Sequence, residues 1–217
     1  MSPDFTLIIL GYVAFLIALT THEFAHALVG YLQGDETARR FGRLTLNPIA
    51  HIDPIGTVVM PLLGSISGLP FIGWAKPVPF NPYNLKNGKW GAIMVALAGP
   101  AMNLVVACLA MALFLGTIGP MGLTPDNLLP IFLLRLVIVS LGLGIFNLLP
   151  VPPLDGSRLL LAIFDGPEHA KLRNYIQTKG PLILLGLVFA DYFMGGKLIG
   201  PIFNGAFTAF FWLFGMR

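Results

Sequence analysis

The hydrophobic pattern of the chain is a series of long apolar runs joined by short polar segments. Five runs are apolar enough to form membrane helices: Phe5–Leu32, Trp90–Ile118, Pro130–Leu149, Pro181–Met194 and Leu198–Phe214. The first three reach the roughly 20 residues that a helix needs to cross ~30 Å of hydrocarbon. The last two are shorter, and the sequence Gly195-Gly196-Lys197 between them predicts a tight helical hairpin.

A sixth apolar run, Ile55–Gly73, is interrupted by prolines and glycines. Basic loops favour the cytoplasmic side of a membrane, and both flanks of this run are basic: Arg39, Arg40 and Arg43 before it, and Lys76, Lys86 and Lys89 after it. The loop Gly119–Leu129 has no Lys or Arg and is expected outside. A run that starts and ends in the cytoplasm must return, so we predict a re-entrant or β-like segment at 52–80, with a true span as the alternative.

The composition indicates the same class of protein. Hydrophobic residues make up 56% of the 217 residues and charged residues 11%, and the mean hydropathy is +0.81, whereas a soluble domain carries about 25% charged residues. The sequence therefore predicts an all-α polytopic membrane protein with about five to six membrane helices or half-helices. We expect one domain over 1–217, with a core at about 5–164 and a C-terminal helical hairpin at about 181–214.

Charge and cysteine content exclude several other classes. The net charge is only +3, and the basic residues lie in connecting segments, which suits the surface of a lipid bilayer and not nucleic acid. Cys108 is the only cysteine, so an intramolecular disulfide and a thiolate zinc cage are excluded. The N-terminus lacks a basic region before the first apolar run, which predicts a retained span and not a cleaved signal peptide.

The sequence His22-Glu23-Phe24-Ala25-His26 lies inside the first apolar run. Two histidines four residues apart share one face of a helix and can bind one Zn²⁺, and the glutamate is placed as a general base. The alternative is a pair of core histidines beside a buried glutamate, which hydrocarbon penalises strongly without a partner. The pattern therefore favours a metalloprotease that acts inside the bilayer.

A catalytic zinc takes three protein ligands and a water whose pKa it lowers. His26 lies seven residues before Gln33, roughly 10 Å from the cytoplasmic end of the first helix, so the third ligand must lie at that depth. Asp155 is the best candidate, because the third long run ends near Leu149 on the same side and three prolines then break the helix. The rival carboxylates are Asp53, Asp35 and Glu36, and Asp155-Gly156 alone would read as a turn.

Three further polar residues are candidates for roles at the site. Glu23 faces away from the two histidines, so we expect it to move protons and not to bind the metal. The oxyanion of the reaction needs a hydrogen-bond donor, and the intramembrane amides of Asn147 and Asn103 are both candidates, although Asn103 also suits helix packing. His51 is either a surface loop histidine or part of the mouth of the site.

These residues resemble the site-2 protease family of intramembrane zinc metalloproteases, in its compact form without PDZ or CBS domains. The resemblance spans about 5–164 and rests on His-Glu-Phe-Ala-His, Gly99-Pro100-Ala101-Met102-Asn103, Asn147-x-x-Pro150-x-Pro152-x-x-Asp155-Gly156 and Asn47-Pro48-x-x-His51-x-Asp53-Pro54-x-Gly56-Thr57. It implies that His22, His26 and Asp155 bind zinc. It also implies that Glu23 is the catalytic base and that Asn147 contacts the substrate backbone or the oxyanion.

The sequence therefore predicts a zinc endopeptidase with one Zn²⁺ per chain that cuts transmembrane segments of other membrane proteins. We expect the substrate to unwind near the metal, held by strand addition to an edge within 55–80. The small size favours a prokaryotic inner membrane, with the site towards the cytoplasm; no feature fixes an oligomeric state. The alternatives are a non-proteolytic scaffold or chaperone with a structural metal, and a metal-ion transporter, which needs ligands along a whole pathway.

Overall fold

The computed structural model describes residues 5–67, 73–164 and 166–216. Within these ranges the regular elements are all helical, and no strand is present. The α-helices are α1 (Phe5–Leu32), α2 (Thr37–Arg40), α3 (Met60–Ser67), α4 (Gly88–Ile118), α5 (Leu128–Asn147), α6 (Gly156–Ile163), α7 (Ala170–Phe193) and α8 (Gly200–Leu213). A π-helix at Pro54–Val59 leads directly into α3.

Three helices, α1, α4 and α5, are long and apolar enough to cross a membrane. They match the three long apolar runs to within two residues at each end, so the prediction of an all-α polytopic membrane protein is confirmed. The small differences have local causes: Pro130 suits the first turn of α5, where its missing N–H costs nothing, and Pro150 disfavours helix at the residue before it, so α5 stops at Asn147.

The core lies where α1, α4 and α5 meet, and small residues let these helices approach closely. Ala14, Ala107 and Ala110 are buried at the contact, and Met111 and Val137 fill the space beside them. Many large apolar side chains on the outer faces are exposed, as expected for residues that contact lipid. The membrane span therefore packs through its small residues and presents its large ones to the bilayer.

Two helices, α7 and α8, lie where the sequence predicts a hairpin at 181–214, and α7 begins eleven residues earlier, at Ala170. α7 and α8 are joined by Gly195 and Gly196, whose φ angles of 67° and 75° favour glycine. The side chain of Asp191 accepts hydrogen bonds from the backbone N–H groups of Leu198 and Ile199 at 2.7 and 2.8 Å. These bonds satisfy free donors just before α8 and fix the turn.

Within the segment at 52–80, the chain at Trp74 comes back beside Gly56 and Thr57. The backbone N–H of Trp74 donates to Gly56 O at 3.1 Å, and Thr57 Oγ1 donates to Trp74 O at 2.9 Å. The chain therefore returns to the level of Gly56, as a re-entrant segment would, while residues 68–72 lie outside the described residues.

Residues 74–80, called here the extended segment, run back along the loop that precedes α3. Alternate N–H groups face inward: Trp74 N–H donates to Gly56 O, Lys76 N–H to His51 O at 3.0 Å, and Val78 N–H to Glu23 Oε2 at 3.2 Å. Since successive residues of an extended chain point to opposite sides, Pro77 and Pro79 lie on the outward edge. The segment therefore ties the re-entrant loop to the glutamate of α1.

Asp35, just beyond α1, holds the end of this segment. Its side chain is 1% exposed and accepts hydrogen bonds from Asn81 N–H at 2.7 Å, Thr37 Oγ1 at 2.6 Å and Asn84 Nδ2 at 3.0 Å. Burial alone raises the pKa of Asp35, but these hydrogen bonds outweigh it and hold the pKa below the ordinary 3.8. The ionised carboxylate is therefore the form that the fold stabilises.

Replacing Asp35 with asparagine is expected to lower the free energy of unfolding by roughly 1–3 kcal/mol, because a buried acceptor and its charge-assisted bonds are lost. A depressed folded-state pKa stabilises the protein above the unfolded-state pKa, and this stabilisation disappears as the pH falls through the folded-state pKa. Thermal unfolding in detergent from neutral to acidic pH measures both effects, and the variant should show a shallower acid decline.

Glu36→Gln is the matched control, because Glu36 is exposed and pairs with Arg40, four residues along the chain. Its change in the free energy of unfolding is expected to stay within about 0.5 kcal/mol. An Asp35→Asn protein as stable as the wild type at neutral pH would contradict the anchoring role of Asp35.

Candidate metal centre

The two histidines of α1 lie on its buried face, one turn apart. His22 is 3% exposed, and the Nε2 atoms of His22 and His26 are 3.0 Å apart. His26 lies six residues before the end of α1, about 9 Å along the helix axis. The pair therefore lies less than two turns from one end of a helix long enough to cross a membrane.

Asp155 meets this pair from the segment that follows α5. Its Oδ2 lies 3.2 Å from His22 Nε2 and 3.3 Å from His26 Nε2, and it is buried with no other donor among the described residues. The backbone passes so close to the Leu148 carbonyl that a Cβ at position 156 would collide with it, which accounts for Gly156. The structure thus brings the three predicted ligand residues together.

The spacing of the three donor atoms fits a tetrahedral zinc site. Zinc bonds of about 2.0–2.2 Å at tetrahedral angles place ligand atoms roughly 3.3–3.5 Å apart, close to the 3.0 to 3.3 Å separations found here. Within the described residues, this is the one group of at least three His, Cys, Asp or Glu side chains close enough to share an ion. Neutral imidazoles and a carboxylate are donors that Zn²⁺ commonly takes.

Residues of helix α4 contact the Nδ1 atoms of both imidazoles and so fix their orientation. His26 Nδ1 lies 2.7 Å from Val95 O, and because a carbonyl can only accept, this nitrogen carries the proton and Nε2 is left to face Asp155. The amide of Asn103 lies 3.1 Å from His22 Nδ1. The hydrogen bonds of this amide are all satisfied when Asn103 Oδ1 accepts from His22 Nδ1–H and Asn103 Nδ2 donates to Ala18 O at 3.0 Å. Such outer partners fix the ring orientation of metal-binding histidines.

Gly99 closes the same side of the centre. A Cβ at this position would lie 2.5 Å from His26 Nε2 and 2.6 Å from His22 Nε2, distances that side chains do not adopt. The α4 backbone therefore approaches the donor atoms directly, and only glycine leaves them room.

Gly99→Ala is expected to displace the imidazoles and lower zinc affinity by about 10–100-fold, the range seen when outer-shell support of a metal ligand is lost. Competition with a chelator of known affinity, followed by zinc analysis of the purified protein, measures the change. Gly116→Ala is the matched control on the same helix, because a Cβ there meets nothing within 4 Å. Equal zinc affinity in the Gly99→Ala and Gly116→Ala proteins would contradict the role of Gly99 in leaving room for the two imidazoles.

Glu23 is buried beside this group, and its carboxylate turns towards the extended segment. Its Oε2 accepts the hydrogen bond from Val78 N–H, and it does not belong to the three-residue group that could share an ion. The rival carboxylates are also engaged elsewhere. Asp53 accepts from the N–H groups of Ile55 and Gly56 at 3.0 and 2.7 Å, at the start of the π-helix, Asp35 holds residues 81–84, and Glu36 pairs with Arg40.

Two of the other predicted site residues make local contacts. His51 is fully buried, its Nε2 lies 2.9 Å from Thr45 O, and its backbone carbonyl accepts from Lys76; it supports the loop before the re-entrant segment, and a role at the mouth of the site stays a prediction. Asn147 Nδ2 donates to Leu143 O at 2.9 Å. Its predicted role as an oxyanion donor is likewise not tested by this contact.

Some partners of the site were not found by sequence reasoning. The carbonyl of Val95 and the N–H of Val78 are backbone groups, so the residue type at these positions gives no indication of their role. Gly99 and Asn103 stood in a recognised motif, and their four-residue spacing on a helix was the available sign that both face α1.

Comparison with known proteins shows which class of enzyme this chain is similar to. The sequence model that defines peptidase family M50 matches residues 118–188, which include Asp155. YwhC of Bacillus subtilis (strain 168) is 33% identical over 88% of this chain and 84% of its own length, and Rip2 of Mycolicibacterium smegmatis is 33% identical over 70% of this chain and 55% of its own. Both carry the name "Putative zinc metalloprotease". No solved structure matches the chain.

Protease RseP of Photorhabdus luminescens is 34% identical over a shorter stretch, 31% of this chain and 31% of its own length. Together with the helical fold, these relatives define a zinc metalloprotease built on membrane-spanning helices. The chain belongs to peptidase family M50, the site-2 protease family. The predicted family is confirmed, and the scaffold interpretation has no support from these relatives.

Proposed function

We propose that the chain is an intramembrane zinc endopeptidase that hydrolyses peptide bonds within or next to transmembrane segments of other membrane proteins. The observation that carries this proposal is the meeting of His22, His26 and Asp155 about 9 Å inside the end of a membrane-length helix. A peptide bond must enter the membrane region to reach that group. A soluble substrate would have no direct access to it.

In this proposal His22 and His26 bind one Zn²⁺ through Nε2, and Asp155 binds it through Oδ2. Val95 and Asn103 hold the two imidazoles with their Nδ1 protons directed away from the ion. When bound, zinc acts as a Lewis acid that activates water and polarises the scissile carbonyl.

Glu23 is the proposed general base. Val78 N–H donates to its Oε2, and Oε1 would take a proton from water and return it to the leaving amine. Burial next to an apolar helix surface keeps bulk water from competing for that proton. The extended segment thus contributes to catalysis by fixing the carboxylate.

Asn147 is the proposed donor to the substrate backbone or oxyanion. A side-chain amide carries two N–H groups, and one of those of Asn147 is used by Leu143 O. The second N–H and the side-chain oxygen are left for a substrate.

The outward edge of the extended segment is the proposed site for an unwound substrate strand. The carbonyls of Ala75, Pro77 and Pro79 face that edge, since the inward positions are already bonded. A substrate in extended form could donate its own N–H groups to these carbonyls, in the manner of strand addition. Changing Ala75 to proline removes the one outward N–H and tests whether cleavage depends on it.

The proposal includes an orientation and a domain organisation. Basic residues follow α1 and precede α4, on the end of the bundle that carries the metal group, which favours a site towards the cytoplasm of a prokaryotic inner membrane. The chain acts as a single unit over 1–217, with the catalytic core at about 5–164 and the helical hairpin at about 181–214.

Reconstitution in liposomes with a single-span model substrate tests this function. We expect cleavage within or next to the membrane segment, located by mass spectrometry, and lost on zinc chelation. A substrate whose segment contains glycine near the cut should be cleaved faster than one with leucine there, because glycine weakens the helix by about 1 kcal/mol. Cleavage only in soluble loops, far from the membrane segment, would contradict intramembrane action.

A further inference from the structure

Arg135 is a charged residue in the middle of the otherwise apolar helix α5. It is the only Lys, Arg, Asp or Glu of that helix and lies seven residues after Leu128, about 10 Å from the end of α5 that is opposite the metal group. Its guanidinium faces the backbone of α1, where a Cβ at Gly11 would lie 3.6 Å from Arg135 Nη1. Ionisable residues at such depth are costly and indicate a functional partner.

Among the described residues, this guanidinium has no ion-pair partner. Within residues 5–67, 73–164 and 166–216 it makes no ion pair, and its buried Nε has no acceptor. Glu23 is the only acidic residue of the spanning helices, and it bonds to Val78 near the other end of α1. A guanidinium binds carboxylates through paired hydrogen bonds, so a carboxylate on a bound substrate helix would satisfy this site.

The side chain lines a large apolar cavity that runs towards the metal centre. The cavity has a volume of about 1200 Å³ between α1, the re-entrant segment, α5, α7 and α8, and Arg135 is the only charged residue among the described residues that line it. Below Arg135, the same face of α5 contributes Val139, Gly142 and Phe146, and the cavity continues to Leu154, beside Asp155. The groove therefore extends from the guanidinium of Arg135 to Leu154, the residue before the proposed ligand Asp155.

The helix rise gives the distance between the two ends of this groove. Gly11, level with Arg135, lies eleven residues before His22 on α1, about 16 Å along the axis. A helical guest would span this with about 11 residues, and one partly unwound near the cut, where each residue rises about 3.3 Å, would need fewer.

We propose that Arg135 determines substrate specificity by binding an Asp or Glu side chain of the substrate's transmembrane helix. This inference rests on the proposed function. The acidic residue would lie roughly 8–11 residues from the scissile bond, on the side away from the cytoplasm. A carboxylate is poorly tolerated in hydrocarbon, so pairing with Arg135 relieves its cost only inside the groove and favours entry of such a helix over a wholly apolar one.

The full chain in liposomes with paired model substrates tests this. The two substrates share one transmembrane sequence and differ by Asp or Asn at a single position, which is moved from about 5 to about 14 residues from the cut. The wild type is expected to prefer the Asp substrate by at least about 10-fold in kcat/KM, with the maximum at about 8–11 residues. Equal cleavage of both substrates at every position would overturn the proposal, and this scan needs no variant protein.

Two variants assign the preference to Arg135. Arg135→Gln should abolish the ratio between the Asp and Asn substrates, and Arg135→Glu should favour a substrate with Lys at the same position. Arg40→Gln is the matched control, because Arg40 is exposed and pairs with Glu36; it should keep the wild-type ratio. Thermal unfolding of each variant shows whether it has folded.

The outcomes separate this inference from the function on which it rests. A wild type that cuts neither substrate would contradict the proposed function. A wild type that cuts both, with a ratio unaffected at Arg135, contradicts the inference alone. If the Arg135 variants lose both activities equally and lose stability only in liposomes with anionic lipid, the guanidinium binds lipid phosphate, and the specificity role is wrong.

Discussion

Glu23→Gln is expected to lower kcat for a transmembrane substrate by about 10²–10⁴-fold, the range that general acid–base catalysis contributes. Glutamine keeps the shape of the side chain and can still accept the hydrogen bond from Val78 N–H through its oxygen, but it cannot take a proton. The three residues proposed to bind zinc are untouched, so zinc content should stay at the wild-type level. Single-turnover cleavage in liposomes and zinc analysis of the same sample measure the two quantities together.

Glu36→Gln serves as the control for this substitution, since Glu36 is an exposed glutamate outside α1. It should cleave at the wild-type rate. Wild-type turnover in the Glu23→Gln protein would show that another group carries the proton, and the proposed role of Glu23 would have to be abandoned. Loss of zinc together with turnover would instead assign Glu23 to the metal.

Asp155→Ala is expected to remove the zinc. The wild type should carry about one Zn²⁺ per chain, and the variant close to none, because two imidazoles alone leave a catalytic site one protein ligand short of the usual three. The loss should exceed the 10–100-fold that removal of an outer partner costs. Metal analysis of detergent-purified protein after dialysis measures the content directly.

Asp126→Ala is the matched control, because Asp126 is an exposed aspartate in the loop before α5. It should keep its zinc. An Asp155→Ala protein that still binds one zinc ion with unchanged affinity would exclude Asp155 as the third ligand, whatever the distances between the side chains. Thermal unfolding curves for both variants show whether either has lost its folded structure.

The fold could be predicted largely because the membrane imposes few solutions. Apolar length identified α1, α4 and α5. The lysines and arginines on both flanks predicted that the segment between them returns, and the hydrogen bond from Trp74 N–H to Gly56 O shows this return. The lengths of α3 and of the π-helix before it were not predictable, because proline and glycine there allow several helical forms of similar energy.

The candidate site was predictable in its residue types and only partly in its contacts. The four-residue spacing of His22 and His26 places both on one face of any helix, and the depth argument selected Asp155 from several carboxylates. Which groups stand behind the imidazoles depends on the rotation of α4 against α1. That rotation is set by the packing of many small residues, so the contacts of Val95, Gly99 and Asn103 emerge only in three dimensions.

Pro77 and Pro79 affect how two copies of this enzyme would meet. An open polypeptide edge ordinarily invites a second identical edge, and proteins guard against the resulting polymers. Here both prolines lack the backbone N–H that such pairing requires. Two copies side by side would therefore place carbonyl oxygens opposite carbonyl oxygens over most of the edge. The membrane could therefore hold the enzyme at high density without this edge nucleating aggregates, while a guest chain with its own amide hydrogens would still find acceptors.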